Sequence, residues 1–409
     1  MSILLSSSQQ DLLDSITPLH KKMISTTIEM CNTNSGSYNK AGIKQAQQQV
    51  IDLFEPLSEQ YETLELEAIK KLNASGDVDE INIAPMQVFR ARPSAPLQIL
   101  CTGHIDTVFP AECEFQSCWV EGNHLRGPGT ADMKGGLVVL ATALEALHNS
   151  EFKHQFGFTV AVSPEEEIGS PSSGDVLMRL AKDKDFGLTY EPALSDGTLA
   201  GARKGSGNFS LVAKGLSTHA GREFFQGKNA VLAIAQACSE LAKLSNEETG
   251  ITINIGKIEG GGAVNVVPDL CSAHFNIRMH EQAHQKQIED NMQRIIEDVK
   301  SETGCEITLH GKFNRPPKPM TDDQLAMFEL LKKCGEKMGL EIRWKATGGC
   351  CEGNNLAAAG LINIDTLGVR GANIHSDAEF ACIDSFVERA KLSALLITHL
   401  IDYQSQLKT

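Results

Sequence analysis

Residues 97–110, LQILCTGHIDTVFP, combine a continuous apolar run with a histidine and an aspartate that follow it. An uninterrupted apolar run of this length is typical of a buried parallel strand. Similar runs occur in FGFTVAVSP (156–164) and FGLTYE (186–191), and a helical pattern, MKGGLVVLATALEALHN (133–149), precedes them. Strands that alternate with helices predict an α/β fold with a mostly parallel sheet and helices on both faces.

Polar side chains that can bind metal follow the predicted strands. In an open parallel sheet the carboxyl ends of the strands share one edge, where ligands usually bind. Two imidazoles and three or four carboxylates at that edge are a ligand set for one or two zinc-like ions. This pattern predicts a metal-dependent hydrolase of amide bonds. The candidates, in chain order, are His104, Asp106, Asp132, Glu165, Glu166, Glu167, Glu191 and His375.

The spacing of these candidates indicates different roles. His104 and Asp106 are two apart in extended chain, so one can bind metal while the other orients it. Asp132 lies between a glycine-rich turn and a predicted helix, where an aspartate either caps the helix or bridges two metals. The three adjacent glutamates repel one another unless a cation is near or one keeps its proton. One of them can bind metal and another can take a proton from bound water, with a solvated acidic loop as the alternative.

The order of predicted elements changes in the middle of the chain. Residues 203–315 show the order strand, helix, strand, strand, helix, strand, which is the ferredoxin-like motif. We predict that this segment is an inserted α+β domain, and that residues 1–202 and 316–409 form one discontinuous catalytic domain. Apolar positions at helical spacing predict helices over 9–31 and 41–71.

The composition argues against several classes of protein. The 409-residue chain carries a formal net charge of -15 at pH 7, which disfavours nucleic acid and anionic membrane surfaces as partners. No apolar stretch approaches the roughly 18 residues of a transmembrane helix, and the first residues lack the basic start of a secretory leader. Eleven cysteines without a CxxC pair predict reduced thiols and a cytoplasmic protein.

The chain also contains an H-E-x-x-H pattern, formed by His280, Glu281 and His284. On a helix this pattern binds zinc in the zincin class of metalloproteases. Here it lies at a predicted junction between a strand and a helix, and a solvent-facing helical sequence follows it. Because both histidines must share one helix face to bind the same ion, we reject this site.

Several motifs resemble those of a known family. GHIDTV, GTADMKGG, EEEIGS, YEP, STHAG, NVVPD and HSDAE occur in the order found in di-zinc peptidases and deacylases. That family includes acetylornithine deacetylase, succinyl-diaminopimelate desuccinylase, aminoacylase and carboxypeptidase G, and the chain looks nearest to the glutamate carboxypeptidase branch. The resemblance implies two zinc ions, with cobalt or manganese as alternatives. The implied metal ligands are His104, Asp132, Glu167, Glu191 and His375, with Asp132 bridging.

The resemblance also implies roles for residues near the metals. Glu166 would be the general base, and Asp106 would orient His104. A cis peptide bond would follow Asp132. The implied substrate is a small peptide or an N-acyl amino acid with a free carboxylate. An N-deacylase, an aminopeptidase and a catalytically silent metal-binding protein are the alternatives.

The inserted domain would be the family's lid, through which two chains form a homodimer. His219 would stabilise the oxyanion, either in its own chain or in the partner chain. Asn265 and Arg278 would bind the substrate carboxylate, and Gly349 would border the same pocket. The cysteine pair that follows Gly349 departs from the family pattern and leaves the exact substrate open.

Overall fold

The computed structural model describes residues 4–407, with side chains described as far as Gln404. None of the helices in this part of the chain combines the length and apolar character that crossing a membrane requires. The α-helices of the described residues are α1 Ser7–Ile16, α2 His20–Cys31, α3 Lys40–Phe54, α4 Lys134–His148, α5 Ser173–Ala181, α6 Ala230–Ala242, α7 His284–Thr303, α8 Asp322–Lys337, α9 Glu352–Ala358 and α10 Ser385–Leu407.

The strands of the same residues form sheets of six, five and four strands and two sheets of two strands. In chain order they are β1 Gln60–Leu64, β2 Ile69–Leu72, β3 Val78–Ile81, β4 Met86–Ala91, β5 Leu97–His104, β6 Trp119–Glu121, β7 His124–Arg126, β8 Phe156–Ser163, β9 Phe186–Thr189, β10 Ala193–Leu194, β11 Leu199–Arg203, β12 Gly205–Lys214, β13 Thr252–Gly260, β14 Leu270–Met279, β15 Glu306–Arg315, β16 Trp344–Thr347, β17 Asn363–Ile364, β18 Arg370–Ala372 and β19 Phe380–Cys382.

A six-stranded sheet in the order β1-β4-β8-β5-β9-β17 forms the centre of the molecule's larger part. The pairs β8-β5, β5-β9 and β9-β17 are parallel, whereas β1-β4 and β4-β8 are antiparallel. Strand β5 is buried on both faces, because Ile99 joins the apolar cluster of α4 and α10 while Leu100 joins that of α5 and α9. Helices therefore cover both faces of the sheet, and the predicted α/β fold is confirmed.

The four-stranded sheet, called the second sheet below, is antiparallel and has the order β13-β14-β12-β15. Its elements follow one another as β12, α6, β13, β14, α7 and β15, which is the predicted ferredoxin-like succession. Helices α6 and α7 share a separate apolar cluster with one face of this sheet. The division into residues 1–202 plus 316–409 and an inserted segment at 203–315 stays a prediction. Its terminal residues 1–3 and 408–409 lie outside the described part of the chain.

The prediction of a single helix over residues 41–71 is wrong beyond Phe54. Helix α3 ends at this residue, and Pro56 follows in a 3-10 turn, because proline lacks the N–H group that a continuing helix needs. The chain then forms edge strand β1 and the hairpin β2–β3. Tyr61 of β1 stacks on Phe89 of β4 with ring centroids 5.0 Å apart. Pairing with the central sheet therefore decides the structure of this segment.

Two other expectations agree with the structure. Residues 9–31 lie in helices α1 and α2, which a short 3-10 turn at Pro18 separates. The H-E-x-x-H pattern lies at a junction: α7 begins at His284, and His280 precedes the helix. The two histidines therefore do not share a helix face, which agrees with the rejection of this pattern as a zinc site.

Three buried charged side chains anchor the second sheet where the chain enters and leaves it. Arg203 and Lys318 exchange two backbone hydrogen bonds, at 2.9 and 3.0 Å. Both side chains also donate to the carboxylate of Asp365, from Arg203 Nε at 2.8 Å and from Lys318 Nζ at 2.9 Å. Burial alone would raise the pKa of Asp365, but the charges of Arg203 and Lys318 outweigh it and lower that pKa. One carboxylate thus holds both connecting segments.

We expect Asp365→Asn to lower the free energy of unfolding by about 3–5 kcal/mol, because it leaves buried cations without their partner. The control Asp290→Asn removes an exposed pair with Lys286 at 3.3 Å and should cost less than about 0.5 kcal/mol. Urea-induced unfolding followed by circular dichroism measures both losses. Equal losses for the two variants would contradict the anchoring role of Asp365.

Candidate metal centre

The carboxyl ends of three neighbouring strands meet in the central sheet. His104 is the last residue of β5. Glu166 and Glu167 lie in a 3-10 turn shortly after β8, and Glu191 follows β9 by two residues. Strands β8, β5 and β9 are adjacent and parallel, so their ends lie at one edge of the sheet. The structure therefore brings these four residues to the edge at which the sequence predicts them.

Asp132 lies between two histidines at this edge. Its Oδ1 is 3.1 Å from Nε2 of His104, and its Oδ2 is 3.2 Å from Nε2 of His375. Oε1 of Glu191 lies 3.8 Å from Nε2 of His104, and Oε2 of Glu167 lies 3.1 Å from Nε2 of His375. The candidate ligand atoms of each trio lie within 4.8 Å of one another. Asp132 thus belongs to both ligand groups.

Asp106 is fully buried and connects His104 with the glutamate turn. Its Oδ1 accepts the N–H of Glu166 at 3.0 Å, and its Oδ2 accepts the N–H of Glu167 at 3.1 Å and the hydroxyl of Ser37 at 2.7 Å. Nδ1 of His104 lies 3.0 Å from the backbone carbonyl of Asp106 and 3.4 Å from its Oδ1. An acceptor at the second ring nitrogen fixes the tautomer and orientation of a metal-binding imidazole. This geometry fits the orienting role expected of Asp106.

Glu166 lies beside the two ligand groups without belonging to either. Its Oε2 is 4.0 Å from Nε2 of His104. Its Oε1 accepts a hydrogen bond from Nη1 of Arg315, whose Nη2 donates to the backbone carbonyl of Glu166 and to Oγ of Ser170, both at 2.9 Å. Arg315 is the last residue of β15 and only 3% exposed. The second sheet therefore fixes one carboxylate oxygen of Glu166 and leaves the other facing the ligand edge.

The electrostatics of the site favour a bound cation. Burial and the charge of Asp132 raise the pKa of Glu167 to about 8. Burial, followed by the charges of Asp132 and Glu166, raises the pKa of Glu191 well above its usual range. Oε1 of Glu191 is buried and has no hydrogen-bond partner within the described residues. Imidazole nitrogens and carboxylate oxygens are ligands for zinc-like ions, so the donors present fit a pair of such ions.

A cis peptide bond and a buried glutamate position Asp132, whereas His375 is the exposed candidate ligand of the site. A cis peptide bond joins Asp132 to Met133, as the resemblance implies. Glu379 accepts hydrogen bonds from three backbone N–H groups of the turn at 129–132, including that of Asp132 at 3.0 Å. The side chain of His375 is 52% exposed, which makes it the most accessible of the candidate ligands. Solvent therefore reaches the candidate ligands from the side of His375.

The remaining predicted residues lie in two places. His219 and Asn265 are exposed neighbours in loops of the second sheet. Within residues 4–407 no hydrogen bond or ion pair joins either side chain to the ligand groups. Arg278 instead contacts the two residues that flank Gly349: its Nη1 lies 3.0 Å from Sγ of Cys350 and 3.4 Å from the carbonyl oxygen of Gly348. The structure thus places Arg278 beside the segment of Gly349 but leaves His219 and Asn265 apart from the centre.

Comparison with known proteins places the chain among established metallopeptidases. Residues 100–399 match the family described as Peptidase family M20/M25/M40. The chain belongs to this family. It is 27% identical over 325 residues to carboxypeptidase G2 of Pseudomonas sp. (strain RS-16), and the match covers 74% of each chain. This M20/M25/M40 relative confirms the resemblance seen in the motifs, and the protein is a metallopeptidase.

Two further similarities are one in sequence, to a desuccinylase, and one in fold, to a dipeptidase. The chain is 25% identical over 330 residues to succinyl-diaminopimelate desuccinylase of Nitrosococcus oceani, with 75% of this chain and 83% of the relative covered. Its fold is similar to the crystal structure of human carnosine dipeptidase 1, with a TM-score of 0.72 at 15% identity. That comparison covers 97% of this chain and 99% of the dipeptidase.

Three supporting residues of this M20/M25/M40 peptidase were not assigned from the sequence. Glu379 lies inside the HSDAE motif, so its position was a usable signal. Ser37 lies in a polar loop without a recognisable pattern. Arg315 precedes a proline-rich stretch that resembles an ordinary connection between domains. Their roles depend on contacts between distant parts of the chain, which the spacing of residues does not encode.

The shared position of Asp132 predicts the metal stoichiometry of variants. We expect Asp132→Ala to lose both ions and Glu191→Ala to lose about one ion per chain, because only Asp132 contributes to both ligand groups. Mass spectrometry of metals after zinc loading and dialysis measures the content. The control His280→Ala, in the rejected H-E-x-x-H pattern, should keep the wild-type content. An Asp132→Ala variant that retains one tightly bound ion would show that the carboxylate is not shared.

Proposed function

We propose that this peptidase hydrolyses an amide bond in a small peptide or N-acyl amino acid that carries a free carboxylate, as a glutamate carboxypeptidase does. The position of Glu166 is the observation that supports this proposal. Its carboxylate is 8% exposed, lies outside both ligand groups, and has one oxygen 4.0 Å from His104. A carboxylate held just beside a metal pair can exchange a proton with the attacking water.

Glu166, Arg315 and Asp106 have separate roles in the proposed reaction. When bound, two zinc-like ions polarise the amide carbonyl and lower the pKa of a water molecule. Glu166 takes a proton from the attacking water through Oε2 and later delivers it to the leaving nitrogen. Arg315 holds the other oxygen of Glu166, so the carboxylate keeps one orientation. Asp106 keeps the glutamate turn and His104 in fixed relative positions.

The substrate carboxylate binds to Arg278 in this proposal. Nε of Arg278 donates to Oδ1 of Asn276 at 2.8 Å, which fixes the plane of the guanidinium. Its Nη1 faces the segment on either side of Gly349, so the guanidinium lies where the lid meets the catalytic part. A guanidinium can bind a carboxylate with two parallel N–H groups. Gly349 supplies a further contact to the same end of the substrate, and we propose that Asn265 reaches it, like His219, from the partner chain.

N-deacylation is the second candidate, and the similarity to succinyl-diaminopimelate desuccinylase supports it. A panel of N-acetyl amino acids, N-succinyl amino acids and dipeptides, each with a free or an amidated carboxylate, separates the two candidates and an aminopeptidase. We propose zinc as the native metal, with cobalt or manganese able to use the same nitrogen and oxygen donors. We also propose a cytoplasmic location, which the free thiols of the eleven cysteines support.

We expect Glu166→Gln to lower kcat by about 10²–10⁴-fold, because the amide cannot accept the proton of the attacking water. Metal content should stay at the wild-type level, since Glu166 belongs to neither ligand group. The matched control is Glu165→Gln, because Glu165 is adjacent but accepts the N–H of Ser173 at 2.6 Å at the start of α5. Steady-state kinetics measures kcat, and metal analysis of the same samples measures the metal content. Near-normal activity in metal-loaded Glu166→Gln would contradict the role of Glu166 as the base.

The lid offers a surface for the proposed homodimer. Large apolar side chains are exposed around His219, whose backbone pairs with Val266. A patch of this kind marks an interaction surface in many proteins. A second copy that covers the patch places the His219 of each chain in an interface, where it can complete the partner's site. The exposed apolar residues of this patch are Leu216, Phe224, Phe225, Val231, Leu232, Val264 and Val266.

Mixing two inactive variants tests whether His219 acts in the partner's site. A heterodimer of Glu166→Gln and His219→Ala chains contains one complete site only if His219 acts across the interface. After exchange at equal concentrations, we expect about a quarter of the wild-type activity, because half of the dimers are mixed and each has one complete site. Activity that stays at the level of the unmixed variants would show that His219 serves its own chain or none.

A further inference from the structure

A cavity of about 1090 Å³ lies between the second sheet and the hairpin β2–β3. Its walls include Ile168 and Asn314, which are the sequence neighbours of Glu167 and Arg315. The cavity therefore begins beside the candidate metal centre and extends away from it. None of the catalytic or substrate-binding residues discussed above forms its walls.

The strand register of the second sheet places polar side chains in rows on the cavity wall. The first row pairs Asn254, Asn276, Asn208 and Lys312 across four neighbouring strands, and the second pairs Lys257, His274, Ser210 and His310. Alternate residues of a strand share one face, so both rows lie on the same face, opposite the one that packs on α6 and α7. The wall is thus lined with hydrogen-bonding groups across the full width of the sheet.

These rows continue directly from the site of the substrate carboxylate. The preceding row in the same register contains Arg278, Ser206 and Arg315. Successive rows on one face are about 7 Å apart, which is twice the rise per residue of a strand. A substrate that contacts Arg278 or Glu166 therefore reaches the two polar rows if it extends by one or two residues.

The hairpin forms the opposite wall and is held in place by two contacts. At its tip, Asp77 pairs with Lys214 of β12 at 3.1 Å. In β2, Nζ of Lys71 lies 4.2 Å from the centroid of the Tyr38 ring. Tyr38 directly follows Ser37, whose hydroxyl donates to Asp106. The hairpin is therefore tied both to the lid and to the loop that supports the metal centre.

The cavity is basic although the chain as a whole is acidic. Four lysines and one glutamate, Glu67, are among its lining residues, against a net charge of -15 for the chain. Lys257 is paired with Glu259 at 2.8 Å, and Lys71 faces the Tyr38 ring. Within the described residues, neither Lys70 nor Lys312 forms an ion pair. These two lysines, one on each wall, are free to bind an anion between them.

We propose that this cavity is a second substrate subsite, which binds a carboxylate on the acyl side of the substrate, one or two residues from the scissile amide. The preferred substrate then carries an acidic acyl or peptidyl group in addition to the carboxylate bound by Arg278. This inference rests on the proposed hydrolysis of amides and specifies its substrate class. It assigns Lys70 and Lys312 as residues that determine specificity.

Two peptides that differ only in charge test the subsite. We expect the wild-type enzyme to have a kcat/KM for acetyl-Glu-Glu-Leu about tenfold above that for acetyl-Gln-Gln-Leu, through two partly exposed ion pairs. The double variant Lys70→Met/Lys312→Met should reduce this ratio to about two or less. The wild-type ratio should also fall when the salt concentration is raised, because salt screens exposed charges. The control Lys286→Met, on the exposed face of α7, should retain the wild-type ratio.

Binding measured without turnover separates the subsite from the proposed reaction. Isothermal titration calorimetry with the Glu166→Gln variant should give the same preference for the glutamate peptide, and the two lysine substitutions should remove it. If neither peptide nor any member of the substrate panel is hydrolysed, the proposed function fails while the calorimetric ratio still tests the subsite. A wild-type ratio near one, or a preference that survives in the double variant, would overturn the subsite.

Discussion

Several carboxylates are buried at the ligand edge of the central sheet, and their negative charge needs compensating partners in the surrounding loops. Carboxylates that leave water lose favourable hydration and must find other partners. Some of them accept hydrogen bonds from backbone N–H groups. Asp106 accepts two such bonds, and Glu379 accepts three. Glu166 finds the guanidinium of Arg315. The turns after β5 and β8, the glycine-rich loop and the end of β15 are all positioned by these contacts.

The carboxylates of the site fall into two classes according to their hydrogen-bond partners. Some accept bonds from backbone N–H groups, and others face the candidate ligand groups. Asp106 and Glu379 are bonded to the backbone, so their positions are fixed by the fold. Within the described residues, the side chains of Glu167 and Glu191 have no such bonds, while burial raises the pKa of both, as it does that of Glu379. This difference also explains why adjacent residues have separate functions, since the carboxylate of Glu165 faces the start of α5 instead of the centre. A cation between the carboxylates without backbone bonds completes the arrangement.

The sequence predicts the parts of this structure that depend on local pattern. Apolar runs that end in acids and histidines locate the strand ends, and adjacent parallel strands bring His104, Glu166 and Glu191 together. The sequence does not predict contacts that join distant segments. Arg315 forms a hydrogen bond with Glu166, which lies 149 positions earlier in the chain. No pattern of residue spacing relates the two. The prediction of a helix over 55–71 is wrong for the same reason, because β1 forms by pairing with β4 and β2 by pairing with β3, which local helix propensity does not describe.

The two anchors of the second sheet lie at the same end of it. Arg315, which binds Glu166, and Lys318, which binds Asp365, are only three residues apart, and Lys318 pairs through its backbone with Arg203. Arg315 also pairs with Ser206 near the start of β12. The loop that carries His219 follows the opposite end of β12, a strand of ten residues or about 30 Å. The length of this strand therefore explains why the fold brings Arg315 to the candidate metal centre and leaves His219 apart from it.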